Sequence, residues 1–331
     1  GSLDALIAAT HAERRTLTVQ DALGRPRQAA WGWLSEQRTA FIELAEASGL
    51  QHLTHAERSA LHTTTFGVGE LFLAALKAGA THALLLLGGS ATNDAGAGML
   101  QALGATLLDA QGQPLPPGGG ALQQLATLDL STLDPRLAEL RVEAAVDVDN
   151  PLLGERGASA VFGPQKGATD ADVATLDRAL GHFADLTAKA LGKDDRALPG
   201  AGAAGGMGFA AHCFLNATLT PGIEMIMQQA NFAQLLNDAD LVITGEGRLD
   251  GQSLAGKTPI GVSRAAKRQG KPVIVLAGSL GDGWQACTEE GVTAAFAIAD
   301  GLMTLEQALP RTAELLADRC ESIARLWLAS R

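Results

Sequence analysis

The amino-terminal part of the chain alternates between apolar and polar positions with a period of two. Trp31 and Trp33 follow this spacing, and the turn-forming Gly24-Arg25-Pro26 interrupts it. A period of two is that of a half-buried strand, because successive side chains point to opposite faces of a sheet. Residues 16–46 are therefore predicted to form a small antiparallel meander.

From residue 67 onward the pattern changes to helices, strands and glycine-rich loops in alternation. A helix is predicted near 68–78, and a strand follows at 82–87, where a continuous apolar run indicates burial on both faces. A second strand is predicted at 141–146 and a long helix at 169–191.

The last third of the chain has the most regular alternation. Apolar runs typical of strands cover 241–244, 273–277 and 294–298, and helical patterns separate them and close the chain. This spacing predicts right-handed βαβ units in a parallel, doubly wound sheet, so the fold class is α/β.

Four polar loops, three of them glycine-rich, follow predicted strands. They are residues 88–96, 147–151, 245–250 and 278–282. In open α/β sheets, ligands bind beyond the carboxyl ends of the strands, so we expect these loops to line one cleft between two domains.

The loop at 88–96 carries groups suited to a phosphate or a metal ion. Gly88 and Gly89 expose backbone, Ser90 and Thr92 supply hydroxyls, and Asp94 supplies a carboxylate that suits accepting a hydroxyl proton. The structural alternative is an Asx-type turn with a helix cap at Asn93 or Asp94.

Two further loops add charge. Asp147 and Asp149 stand two residues apart at a strand end, and hard carboxylate oxygens of this kind suit Mg²⁺. The alternative is a pair of turn carboxylates before Pro151. Lys166 places one cation in the tight turn Gly163–Gly167, where it either binds an anion or stays on the surface.

The most concentrated candidate site is the segment that follows the strand at 241–244. Gly245, Glu246, Arg248 and Asp250 combine two carboxylates and a guanidinium at the active edge of a sheet. This combination predicts an anion-binding or catalytic role.

Residues 251–258 match the P-loop pattern GxxxxGK[ST]. A true P-loop begins directly after its strand, whereas six residues, 245–250, intervene here. A nucleotide-binding switch of the P-loop type is therefore the alternative reading. Lys257, at the start of a predicted helix, suits a phosphate in either case.

Residues 200–205 match GxGxxG, the dinucleotide-binding fingerprint. No predicted strand precedes the motif, and no acidic residue stands at the required later place. We expect a flexible connection or a close contact between backbones.

Charge and composition exclude some classes of function. The net charge of −11 disfavours nucleic-acid binding, which needs a basic surface. The chain has three cysteines, widely spaced, and no long apolar run, so we expect neither a disulfide framework nor a membrane span, and the expected location is the cytoplasm.

Seven motifs occur in one order along the chain. They are Thr65-Phe66-Gly67-Val68-Gly69-Glu70-Leu71, Gly88–Gly96, Asp147–Pro151, Gly163–Gly167, Gly202–Gly208, Pro221-Gly222-Ile223-Glu224 and Ile243–Asp250. Together they resemble the type I, or bacterial, glycerate kinases. The resemblance runs from Ser2 to near the carboxyl end.

The resemblance implies two α/β domains with the active cleft between them. A Rossmann- or flavodoxin-like domain with a parallel sheet is expected from residues 1–12 and 222–331, and a mixed α/β domain from 13–221. The resemblance also implies ATP and Mg²⁺, and phosphorylation of D-glycerate to 2-phosphoglycerate, with 3-phosphoglycerate as the alternative product. Such enzymes serve organic-acid and glyoxylate metabolism.

Combined with the loop chemistry, the resemblance gives a hypothetical mechanism. Mg²⁺ is expected on Asp147 and Asp149, and Arg248 is expected to pair with the glycerate carboxylate or the transferring phosphoryl group. Asp94 or Asp250 would accept the hydroxyl proton. In the same hypothesis, Gly88, Gly89, Ser90, Thr92, Lys166 and Lys257 bind phosphate or substrate.

Two expectations concern the whole chain. Relative to the family pattern, the sequence lacks an amino-terminal strand and two loops, about 30 residues or more. A catalytically inactive, ligand-binding fragment of the kinase is therefore a second alternative. The long terminal helix suits either core packing or a homodimer interface.

Overall fold

The computed structural model describes residues 2–255, 257–301 and 303–329. The chain divides into two compact units at the bond between Gly222 and Ile223. Unit 1 precedes this bond and unit 2 follows it, and each has its own sheet and its own apolar core.

Unit 1 contains eight strands and seven α-helices among its described residues. The strands are β1 (Glu13–Gln20), β2 (Pro26–Leu34), β3 (Thr39–Glu43), β4 (His82–Leu86), β5 (Thr106–Leu108), β6 (Thr127–Asp129), β7 (Arg141–Ala145) and β8 (Thr218–Thr220). The helices are α1 (Ser2–Thr10), α2 (Leu44–Ser48), α3 (Phe66–Lys77), α4 (Ala97–Ala102), α5 (Ala158–Phe162), α6 (Asp170–Leu191) and α7 (Ala203–Leu215).

The main sheet of unit 1 is mixed and has the strand order β1-β2-β3-β4-β7-β8. Strands β1 to β3 pair antiparallel, which confirms the predicted meander, and β3, β4, β7 and β8 pair parallel. In the centre, Leu85 pairs with Ile42 on one side and with Ala144 on the other. All but the first residue of β4 are buried, as its apolar run predicted.

Helix α1 departs from the domain boundaries expected from the sequence, which grouped residues 1–12 with 222–331. It packs on β2 and β3 of unit 1, where Leu3 and Leu6 are fully buried. The amide of Leu3 also donates to Glu43 Oε2 at 3.3 Å. The apolar face of α1 therefore belongs to the core of unit 1.

Unit 2 contains three strands and five α-helices among its described residues. The strands are β9 (Val242–Leu249), β10 (Val273–Leu280) and β11 (Ala294–Ala297). The helices are α8 (Gly222–Gln229), which begins at the boundary, α9 (Phe232–Asp238), α10 (Thr258–Arg268), α11 (Leu305–Ala308) and α12 (Thr312–Ala329).

The sheet of unit 2 is parallel, with β10 between β9 and β11, as the alternation predicted. Side chains of β10 alternate between two apolar clusters. Ile274 packs in one cluster with Leu315 of α12, and Val275 packs in the other with Ile260 of α10. Helices thus cover both faces of the central strand, which explains its unbroken apolar run.

The two long strands of unit 2 extend further than the sequence predicted. β9 continues past Thr244 to Leu249, and β10 continues past Ala277 to Leu280. Residues 245–249, expected in a loop, are therefore extended backbone paired with β10. The pairing overrides the low strand propensity of glycine and charged residues.

Within the part of the chain that the structure describes, no helix has both the length and the apolar character needed to cross a membrane.

Candidate functional site

Unit 1 has a pocket of about 410 Å³ at the carboxyl ends of β4 and β7. Its lining residues are Leu50, Leu87, Gly88, Gly89, Ser90, Ala145, Val146, Asp147, Val148, Phe162, Gln165, Lys166, Ala203 and Ala204. The structure thus brings together five residues proposed from sequence, namely Gly88, Gly89, Ser90, Asp147 and Lys166. Their position agrees with the rule that ligands bind beyond the carboxyl ends of parallel strands.

The loop that follows β4 is held in place by backbone hydrogen bonds. The amide of Leu50 donates to the Gly89 carbonyl at 2.8 Å, and the amide of Ala91 donates to the Ser48 carbonyl at 2.9 Å. Gly89 has a φ of +72°, which favours glycine, and a Cβ placed on Gly88 would have no described heavy atom within 4 Å. The pocket is therefore lined here by bare backbone, which an anion can approach closely.

Lys166 is a buried cationic side chain at the pocket. It is 1% exposed, and its Nζ donates to the Thr92 carbonyl at 2.7 Å. No ion pair of Lys166 is found among the described residues. Burial lowers the pKa of Lys166 to about 7, although the negative charge of nearby Asp94 acts in the opposite direction. An entering anion would supply the counter-charge that this amine lacks.

The turn that carries Lys166 follows α5. Its backbone closes through the Lys166 amide, which donates to the Gly163 carbonyl at 2.9 Å. Gly167 has a φ of +87°, and a Cβ there would lie 2.5 Å from the Arg58 carbonyl oxygen. Glycine at 167 thus allows the turn to pack tightly and keeps Lys166 directed inward.

Asp94 lies near the end of the same loop and does not line the pocket. It is 1% exposed, and Oδ2 accepts hydrogen bonds from the Thr65 amide at 2.9 Å, the Thr65 hydroxyl at 2.9 Å and the Gly98 amide at 3.2 Å. Oδ1 accepts a bond from the Gly96 amide at 3.2 Å. Burial raises the pKa of Asp94, and the four hydrogen bonds oppose that shift. This geometry matches the structural alternative, a carboxylate that ties together the starts of α3 and α4.

Thr92 and Asn93 are fully buried beside Lys166. The Thr92 carbonyl accepts the Lys166 bond, and Asn93 Nδ2 donates to Ser159 Oγ at 2.9 Å. Thr92 Oγ1 and Asn93 Oδ1 have no hydrogen-bond partner among the described residues. Thr92, whose hydroxyl was predicted to bind the ligand, thus does not line the pocket. Its carbonyl instead positions Lys166.

The structure separates the two aspartates that were predicted to share a metal ion. Asp147 lines the pocket, and its Oδ1 accepts a hydrogen bond from the Gly222 amide at 2.7 Å. Asp149 lies outside the pocket lining, and both its carboxylate oxygens lie 3.0 Å from Arg156 Nη2. The described residues contain no group of three or more metal-ligating side chains. Of the two aspartates, Asp147 is the one placed to contact a ligand in this pocket.

A second polar cluster lies in unit 2, on β9 and the turn after it. Arg248 Nε donates to Asp250 Oδ2 at 3.1 Å, and Ser253 Oγ donates to Glu246 Oε1 at 2.6 Å. Lys257 Nζ lies 3.8 Å from Glu246 Oε2. The side chain of Arg248 is 64% exposed, so a large part of its guanidinium is available to an anion.

Glycines make room for this cluster. A Cβ on Gly245 would lie 2.3 Å from the Leu276 carbonyl oxygen on the neighbouring strand. A Cβ on Gly281 would lie 2.8 Å from two nitrogens of Arg248 and 2.9 Å from Asp250 Cβ. Glu246 and Arg248 project to the same face of β9, because side chains of a strand alternate.

The P-loop alternative can be examined in the backbone of residues 250–257. β9 runs to Leu249, so the motif begins soon after its strand and the predicted gap of six residues is wrong. However, the amides of Gly251, Ser253 and Lys257 donate to the carbonyls of Asp282, Asp250 and Ser253. A phosphate cradle needs such amides free, so this local geometry disfavours a P-loop. Gly256 lies outside the described residues.

Several lining residues were not predicted. Gln165 and the pair Ala203 and Ala204 lie inside motifs that the sequence singled out, the first beside Lys166 and the others within GxGxxG. Leu50 and Phe162 carry no polar group that could have marked them. Apolar lining residues are found by packing, which periodicity alone does not place around a pocket.

Comparison with known proteins identifies the relationship. A model of the glycerate kinase family matches residues 1–328. The chain belongs to the glycerate kinase family. A glycerate kinase of Bacillus subtilis is 48% identical over 324 residues, which cover 98% of this chain and 85% of that protein. A glycerate 2-kinase of Escherichia coli K12 is 49% identical over 308 residues, which cover 93% and 81%.

The glycerate kinase family is also the one found by structure. A crystal structure from Salmonella typhimurium LT2, provisionally named glycerate kinase 2, superposes with a TM-score of 0.88 at 46% identity. The match covers 99% of this chain and 86% of that one. Membership of the glycerate kinase family confirms the predicted α/β class and the predicted phosphotransferase class with an alcohol group as acceptor.

Proposed function

We propose that this protein transfers the γ-phosphate of ATP to D-glycerate and forms 2-phosphoglycerate. The observation that carries the proposal is the unit 1 pocket, where Lys166, which is buried and forms no ion pair with the described residues, shares the lining with bare glycine backbone. Such a site suits a small, highly charged ligand. The name of the Escherichia coli relative, a glycerate 2-kinase, supports the 2-position over the 3-position.

Anion binding in the pocket is assigned to Lys166 and to the backbone of Gly88, Gly89 and Ser90. Phosphoryl transfer requires little covalent participation by the protein, so positioning and charge neutralisation dominate its catalysis. A lysine held at 2.7 Å from the Thr92 carbonyl is already fixed in orientation. It therefore loses little conformational entropy when a carboxylate or phosphate binds.

Asp147 fits a Mg²⁺ ion that arrives with the phosphates of ATP. Magnesium usually takes one or two protein carboxylates and completes its shell with phosphate oxygens and water. Oδ2 of Asp147 carries no hydrogen bond from the described residues, whereas the oxygens of Asp149 meet Arg156. When bound, the ion neutralises charge on the phosphates. Asp149 is thus assigned no direct part.

In unit 2, Arg248 and Lys257 are assigned to phosphate oxygens, and Glu246 and Gly245 to the positioning of these cations. Asp250 is preferred to Asp94 as acceptor of the hydroxyl proton. Asp94 is 1% exposed and holds four hydrogen bonds, whereas the side chain of Asp250 is 17% exposed. A base must reach the proton that it accepts, and this access favours Asp250.

The test is formation of 2-phosphoglycerate from ATP, Mg²⁺ and D-glycerate, followed with enolase in the absence of phosphoglycerate mutase. Enolase consumes 2-phosphoglycerate directly, so the signal should follow ADP release one for one. ADP release without the enolase signal would assign the 3-position instead. No glycerate-dependent ADP release would overturn the proposed function.

A further inference from the structure

The glycine-rich segment 200–206 contributes Ala203 and Ala204 to the pocket wall. Ala204, Gly205 and Gly206 have φ values of +52°, +70° and +88°, so three consecutive residues adopt the left-handed conformation at the start of α7. Ala204 is the exception among them, because a residue with a Cβ is disfavoured there by roughly 1 kcal/mol or more. Such a conformation persists only where its surroundings enforce it.

The enforcing contacts lie on the loop behind the pocket. The amide of Ala95 donates to the Gly205 carbonyl at 2.9 Å. A Cβ on Gly205 would lie 2.0 Å from the Thr92 carbonyl oxygen, and one on Gly206 would lie 2.8 Å from Ala95 Cα. The left-handed turn is therefore packed directly against the backbone of residues 92–95.

The same Thr92 carbonyl accepts the hydrogen bond of Lys166. The left-handed turn and the Lys166 side chain thus both contact the Thr92 carbonyl. This shared contact sets the position of Ala203 and Ala204 relative to the ammonium group. Both alanines line the pocket, and Ala203 is 4% exposed. A larger side chain at either position would take space from a ligand held by Lys166.

We propose that Ala204 is a specificity-determining residue, whose methyl group limits the length of the hydroxy acid that can be phosphorylated. The proposal rests on the proposed function, since it assumes that the acceptor acid occupies the unit 1 pocket. Selectivity for a three-carbon acid would then come from a wall of fixed position and small side chains. Removing or enlarging the side chain at 204 should change which acid fits, while the cation stays in place.

Two substitutions at position 204 test this specificity role without requiring an unfavourable backbone conformation. Glycine accepts the left-handed conformation freely, and asparagine tolerates it better than other residues with a Cβ. Ala204→Gly enlarges the pocket and should raise kcat/KM for a four-carbon trihydroxy acid relative to D-glycerate by about tenfold, the range expected for one carbon group. Ala204→Asn should raise the KM for D-glycerate and leave the KM for ATP unchanged.

The matched control is Asn216→Gly, at the other end of the same helix. Asn216 has a φ of +50° and does not line the pocket, so this variant relieves the same kind of strain without changing the wall. It should leave the ratio of kcat/KM for the two acids at its original value. Thermal unfolding of all three variants reports any general loss of structure.

The outcomes separate the two proposals. If the unmodified protein phosphorylates D-glycerate but both Ala204 variants keep the original ratio, the specificity role is wrong and the proposed function stands. A change in kcat alone, equal for both acids, would likewise make residue 204 a structural position only. If the unmodified protein shows no glycerate-dependent ADP release, the proposed function fails and the inference fails with it.

Discussion

Lys166 shows how burial turns an ordinary residue into a special one. A lysine in a tight turn of the sequence was equally compatible with a surface role, and only the structure places its ammonium group inside the protein. The sequence could not reveal this burial, because the ammonium group of Lys166 donates to the carbonyl of Thr92, which is 74 positions away in the chain. Asp149, by contrast, lies at the surface, where its partner is the exposed Arg156.

The pH dependence of stability should report the buried amine. The folded pKa of Lys166, about 7, lies below its ordinary value of 10.5. Between these values the unfolded state binds more protons, so the contribution of this residue to stability rises with pH. Below about pH 7 Lys166 is protonated in both states, so the folded state bears the full free-energy cost of burying its charge.

Replacing Lys166 by methionine removes this dependence. The free energy of unfolding of the Lys166→Met variant, relative to the unmodified protein, should fall by a few kcal/mol, in order of magnitude, as the pH rises from about 7 to 10.5. Chemical denaturation across that range measures it. Lys193→Met is the control, because Asp195 raises the pKa of Lys193 instead. An identical slope in both variants would contradict the burial argument.

Arg248 is the exposed arginine of the polar cluster in unit 2. Arg248→Ala should lower kcat/KM for D-glycerate by about 10²- to 10³-fold, since an oriented charge that meets a developing charge is usually the largest catalytic contribution. Steady-state ADP release measures the change. Arg325→Ala, which removes an exposed arginine of α12 paired with Glu321, is the control and should stay near the original rate. Near-normal kinetics in Arg248→Ala would remove Arg248 from the site.

At the scale of elements, β9 is the part that the sequence described least well. Its residues 245–249 include two glycines and two charged residues, which are depleted in strands and typical of loops. Pairing with β10 gives this segment its conformation, with Glu246 opposite Ala277 and Arg248 opposite Ser279. The sequence predicted the apolar strands and the helices well, because their periodicity is a property of the segment itself.

Two glycines of β9 provide a matched test of this pairing. A Cβ at Gly245 would lie 2.3 Å from the Leu276 carbonyl oxygen, whereas a Cβ at Gly247 would meet no described heavy atom within 4 Å. Gly245→Ala should therefore destabilise the protein by about 1–3 kcal/mol, the range of overpacking, and Gly247→Ala should be close to neutral. Equal losses of stability in thermal unfolding would show that β9 does not lie this close to β10.

At the scale of the whole molecule, the α/β class and the division into two units were predictable from the sequence, but the place of α1 was not. Its apolar positions indicated a helix, and a helix pattern does not say which sheet it covers. The residues of the candidate site likewise fall into a predictable group and an unpredictable group. Loops at strand ends were found by their composition, whereas the apolar wall of the pocket was found only by tertiary packing.

The net charge of −11 applies to the whole chain and acts on every anionic substrate. Long-range repulsion is screened over about 10 Å at about 0.1 M salt, whereas a buried contact such as that with Lys166 is screened much less. We expect kcat/KM for D-glycerate to rise by a small factor between about 10 mM and 150 mM salt. A steep fall over the same range in initial-rate assays would mean that exposed cations dominate the approach.

Asp147 has a second contact that extends its importance beyond the pocket. Its Oδ1 holds the amide of Gly222, the last residue before the chain passes into unit 2. One carboxylate thus serves both the pocket lining and the main chain, so it cannot be replaced without affecting both. Removing Asp147 would leave the Gly222 amide without its acceptor at the place where the chain leaves unit 1.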